Sequence, residues 1–150
     1  MRNLLEPKKV SWKTRSKAIF AALCVYSALE TMQLLGVVQN ADKFAVDFAT
    51  SPGAVAWRAG ILGVVALLAA LSAAAATWSI HTQHPDWHKA HGMVTGGIYT
   101  FHALLQLFLA IFLVSSQTQV SLVLCLIYLV FALMAFYAST KAASEQLESK

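Results

Sequence analysis

The sequence predicts an all-α integral membrane protein of four transmembrane helices, and three observations predict it. Of its 150 residues 58% are hydrophobic and only 12% charged, whereas a soluble domain is about 45–50% apolar and about 25% charged. The mean hydropathy is +0.62. The apolar residues also gather into four runs, each near the ~20 residues of helix that cross ~30 Å of hydrocarbon. A chain of this length folds as one unit, a single four-helix domain, with no room for a second.

The first span is expected over about 17–38. A mixed segment follows to Pro52, carrying Asp42, Lys43 and Asp47. Its Phe44, Val46 and Phe48 alternate with polar residues, which suits a position at the membrane interface. The second span, about 54–80, is rich in alanine and contains Gly60 and Gly63. The polar stretch His81–Lys89 breaks the pattern, with Pro85 read as the stop. The third span covers about 90–114, a turn is expected at 115–119, and the fourth span covers about 120–140. A short polar tail with Lys141, Glu145, Glu148 and Lys150 closes the chain. Trp12, Trp57, Trp78 and Trp87 all fall near span ends, where interfacial aromatics belong.

Charge placement sets the expected orientation. Six of the eleven basic residues lie in the first 17 positions: Arg2, Lys8, Lys9, Lys13, Arg15 and Lys17. Such a flank suits an anionic membrane surface. Nucleic acid is not the expected partner, because no basic, aromatic-studded soluble face follows. With four spans, both termini and the 81–89 loop share a side that carries nine Lys/Arg, against Lys43 and Arg58 on the other. The positive-inside rule then turns the termini toward the cytosol, or toward the matrix in a mitochondrion. Cys24 and Cys125 both sit in apolar runs and read as small hydrophobes rather than a disulfide.

Polar groups at bilayer depth are costly and need partners. Glu30 in the first span and His102 in the third both lie roughly 18 Å along helices that run the same way. Gln33 and Gln106 fall one turn further. Two polar rungs, Glu30–His102 and Gln33–Gln106, are therefore expected between these spans, with the histidine as donor to the carboxylate. They read either as a proton relay or ligand site, or as interhelical glue of about 0.6–2 kcal/mol per contact. His88, His91 and His102 share a helical face, and imidazole ligates both zinc and haem iron. Four of the five histidines nevertheless lie in or beside a polar loop, where histidine needs no special explanation, so no metal and no cofactor is expected and haem stands as the alternative. Gly92 and Gly96 form a GxxxG pattern that, with Gly60 and Gly63, suits close helix packing. No nucleophile–base arrangement and no hydrolase, kinase or dinucleotide motif is present, so no enzymatic activity is expected.

Three short motifs carry a family resemblance. Glu30-Thr31-Met32-Gln33 places a polar residue three before a glutamine in the first span. Trp57-Arg58-Ala59-Gly60 opens the second span with arginine ahead of glycine. Phe101-His102-Ala103-Leu104-Leu105-Gln106 sets a histidine in the third, with Gln106 where the family has an acid. In these features the chain resembles the small four-span sterol-biosynthesis scaffold family, ergosterol biosynthetic protein 28, over about 17–140. The resemblance implies a non-enzymatic tether for sterol C4-demethylation enzymes at the endoplasmic reticulum. The expected function is thus a non-catalytic scaffold or accessory subunit that packs within and stabilises a membrane enzyme complex, its partners being other integral membrane proteins and lipids. Alternatives are an accessory subunit of a respiratory complex in the mitochondrial inner membrane, a haem- or quinone-site anchor using His88, His91 or His102, and a small transporter using Glu30 and His102. The small-residue face of the second span is expected to contact another protein or helix closely.

Overall fold

Two of the long helices begin where a serine satisfies one of their first free N–H groups. The computed structural model describes residues 11–47, 50–82, 84–112 and 118–148. Among these are five helices and no strand: α1 (Trp12–Gln39), α2 (Ala41–Asp47), α3 (Pro52–His81), α4 (Pro85–Phe112) and α5 (Thr118–Glu148). The Ser11 hydroxyl accepts from the Thr14 N–H at 3.4 Å, and that of Ser51 from the Ala54 N–H at 3.2 Å. Both are N-cap contacts that serve otherwise unpaired donors. Four of the helices, α1, α3, α4 and α5, are long and apolar enough to cross a membrane.

Helices outrun the apolar runs that announce them. Each spanning helix starts two to five residues ahead of the expected position, and α5 continues through the polar tail to Glu148. Hydropathy marks where hydrocarbon begins, whereas a helix ends only where its backbone is capped. Pro85 is a corrected expectation, since it opens α4 rather than ending α3. Proline is well placed at the first helical position, where its missing N–H would have no partner. The mixed segment after the first span forms α2, which buries Ala45 against α3. Phe48, Leu113, Val114 and most of the expected turn at 115–119 lie outside the described residues, as do Lys8 and Lys9.

The four long helices form an antiparallel ring in which α1 packs on α3, α3 on α4, α4 on α5 and α5 on α1. The α1–α5 seam is the least extensive of the four. The start of α1 and the last turn of α5 lie at one end of the bundle, because the Glu145 carboxylate accepts from the Lys13 N–H at 2.9 Å. Lipid tails supply no hydrophobic drive between helices, so close contact depends on small side chains. In α3 these are Ala59, Ala66, Ala69, Ala70, Ala73 and Ala76, all buried. This face packs against the chain's own helices, which is the helix form of the expected close contact. Gly63 belongs to it, 3.5 Å being the distance from an added Cβ to Leu34. Gly60 does not, since a Cβ there would meet nothing within 4 Å. Gly92 and Gly96 do mediate a close approach. A Cβ on Gly92 would overlap Ser139 of α5, and one on Gly96 would lie 2.5 Å from the Phe136 ring.

Candidate functional site: a polar axis through the bundle

Three helices present their inner faces at heptad-like spacing, the pattern of a bundle seam. In α1 the seam is Ser16, Phe20, Leu23, Ser27, Glu30 and Leu34. In α4 it is His88, Gly92, Thr95, Tyr99, His102 and Gln106. In α5 it includes Ser121, Cys125, Tyr128, Ala132, Ala135 and Ser139. The α1 and α4 seams are strongly polar and meet diagonally across the ring. Ser16–His88 and Ser27–Tyr99 are each separated by 72 positions, and Glu30–His102 keeps the same offset. Two helices running the same way with the same rise hold one register along their length.

The lower rungs are fully bonded. His88 is completely buried. Its Nδ1 lies 3.0 Å from the Ala76 carbonyl, which can only accept, so Nδ1 carries the proton. Nε2, 3.0 Å from the Ser16 hydroxyl, then accepts from it. One level up, the Thr95 and Ser72 hydroxyls are 3.0 Å apart. Tyr99 donates to the Leu23 carbonyl at 3.2 Å. The Ser27 hydroxyl, 2.6 Å away, is left to donate to the phenol oxygen.

Above these rungs lies a cluster with unfilled valences. The structure brings Glu30 and His102 together, with Nε2 3.8 Å from Oε1. That is too long for a hydrogen bond. The donor to Glu30 Oε1 is instead the Tyr128 hydroxyl, a correction to the expected histidine donor. Tyr128 also stacks on the His102 ring, with centroids 3.9 Å apart and planes at 13°. Four buried atoms here have no hydrogen-bond partner among the described residues: Glu30 Oε2, both ring nitrogens of His102, and Gln106 Oε1. His102 is 0% exposed and Gln106 3%.

The expected Gln33–Gln106 rung does not form. Gln33 is exposed and lines an open groove of about 580 Å³ with Gly36, Asn40 and Lys43, between α1 and α2. The cause is register: 72 positions before Gln106 stands Leu34, so Gln33 sits one residue off the seam. The sequence reading also missed Tyr128, Tyr99, Ser27 and Ser16. In α4 the signal was available as His88, Thr95, Tyr99, His102 and Gln106 falling on one three-to-four-residue seam inside an apolar span.

The remaining predicted residues lie elsewhere. Arg58 donates to Ser121 at 3.2 Å, tying α3 to α5. Arg15 stacks over Trp12 at 5.2 Å, and it and Lys17 are exposed at the start of α1. His91 packs beside Trp87, with ring centroids 6.0 Å apart. Both His88 nitrogens are engaged within the bundle, so His88 is not free to ligate haem or a metal. Among the described residues, no three His, Cys, Asp or Glu side chains group around a common point that could hold a metal ion. None of the protein-family models, curated proteins or solved structures compared with the chain matches it.

Proposed function

We propose that this chain is a non-catalytic membrane scaffold, an accessory subunit that packs within a membrane enzyme complex and stabilises it. The observation that carries the reading is how its polar groups are used. Ser16, His88, Ser27, Tyr99, Ser72, Thr95, Arg58 and Ser121 are engaged in ties between the chain's own helices. The outside of these helices is apolar, including Val25, Leu29, Met32 and Leu35 of α1 and Leu126, Val130, Leu133 and Tyr137 of α5. Such faces accommodate lipid or the spans of partner proteins. The finer form of the proposal is a tether for sterol-modifying enzymes at the endoplasmic reticulum, supported by the resemblance at Glu30, Arg58, His102 and their neighbours. An accessory subunit of a mitochondrial inner-membrane complex is the same role in another membrane.

Purification of the tagged chain in mild detergent, with partners identified by mass spectrometry, tests the reading. Membrane-enzyme subunits should co-purify at fixed stoichiometry. Gly60→Ala is the informative variant, because a Cβ there would meet nothing within 4 Å among the described residues and a loss of partners reports an external contact. Recovery of the wild-type chain alone counts against a scaffold, and sterol-enzyme partners distinguish the finer reading from the respiratory one.

A further inference from the structure

The unfilled cluster above the bonded rungs has the chemistry of a binding site. Buried polar atoms in folded proteins are almost always paired, and each exception calls for an explanation. Here four exceptions converge on three side chains, Glu30, His102 and Gln106. We infer that Glu30, His102 and Gln106 form a site for the hydroxyl group of a neutral membrane amphiphile, admitted through the α1–α5 seam.

The donor and acceptor inventory selects the hydroxyl. Gln106 Oε1 can only accept, and so can one nitrogen of a neutral His102, while its other nitrogen carries a proton to donate. Glu30 Oε2 accepts when ionised and donates when protonated. In either state the cluster holds both donors and acceptors. A ketone oxygen cannot satisfy Gln106 Oε1, and an ammonium cannot accept from the histidine. A hydroxyl does both. A phosphate headgroup does not suit the position, since charge at this depth is costly.

The route follows from the packing. Glu30 on α1 and Tyr128 on α5 face each other across the least extensive of the four helix seams. The Glu30 side chain is 14% exposed while His102 behind it is fully enclosed. The Tyr128 hydroxyl joins the carboxyl group to this seam, its Oε2 buried, with Tyr26 and Phe131 in edge-to-face contact at 5.0 Å. His102 lies ten residues from the end of α4 at Phe112, roughly 15 Å along the helix, and Gln106 roughly 9 Å. An amphiphile whose hydroxyl leaves the interface for this level would lay its chain along the apolar outside of α1 and α5.

Water is the other source of a hydroxyl, and the experiment separates the two. The full chain, reconstituted in phosphatidylcholine nanodiscs, is exposed to a long-chain alcohol bearing a diazirine near its head, or to the corresponding O-methyl ether, and labelled peptides are mapped. The alcohol should label the Tyr26–Glu30 and Tyr128–Phe131 segments about five-fold more than the ether, the weight of one net hydrogen bond. Unlabelled alcohol should compete. His102→Phe keeps the ring stacked on Tyr128 and Gln106→Leu keeps its volume, and removing an unpaired polar atom costs the fold little. Both variants should lose the preference for the alcohol. Equal labelling by alcohol and ether, as expected if water alone fills the site, overturns the inference. So does an alcohol preference that survives both substitutions. The measurement uses the isolated chain and is independent of whether a complex forms around it.

Discussion

Alanine at Gly92 and alanine at Gly97 should move stability in opposite directions, although the two positions lie five residues apart on one helix. Both substitutions gain about 0.8–1 kcal/mol of intrinsic helix preference. At Gly97 that gain stands alone, because a Cβ would meet nothing within 4 Å. At Gly92 the new carbon would overlap the Ser139 Cβ and lie 3.0 Å from Phe20 Cζ. A Cβ cannot swing aside, so α4 and α5 must separate. Overpacking of this kind costs about 1–3 kcal/mol, and a clash between two Cβ atoms takes the upper part of that range, so a net loss of about 1–2 kcal/mol remains at Gly92 after the propensity gain. Gly96→Ala should fall between them, since its clash is with the Phe136 ring at 2.5–2.8 Å and a ring can turn. Reversible unfolding in mixed detergent micelles, followed by helical circular dichroism, reads all three. Gly92→Ala at wild-type stability or above would refute the close α4–α5 approach, as would Gly97→Ala as damaging as Gly92→Ala.

Other predictions follow from the polar axis and the topology. Tyr128→Phe removes the donor to Glu30 and should cost about 1–3 kcal/mol. A double-mutant cycle with Glu30→Leu should return a coupling of about 0.6–1.7 kcal/mol, and a coupling of zero would deny the contact. Ser27→Ala and Tyr99→Phe break one rung, so their losses should be less than additive in the same assay. Cysteine-accessibility labelling in sealed vesicles should find positions 13 and 145 on the same side of the membrane, and labelling from opposite sides would contradict the four-span arrangement. The purified chain should show no Soret absorption, and a Soret band lost on His102→Phe would replace the scaffold reading with a haem anchor.

The sequence by itself determined the class of this protein and the level of its polar groups. Four apolar runs dictate four spanning helices, because the bilayer core offers no other partner for backbone N–H and C=O groups. Rise per residue alone then sets Glu30 and His102 at matching depth. It could not settle azimuth. A helix turns about 100° per residue, so an error of one position, Gln33 for Leu34, moves a side chain from the bundle interior to its surface. Nor could it assign the alanine face of α3, which serves equally for an internal neighbour or an external one until the ring of helices is closed. The donor to Glu30 came from α5, a helix whose position beside α1 no local pattern specifies. Depth is a one-dimensional property and can be counted along the chain, whereas the choice of partner around each helix axis is set only when all four helices pack at once.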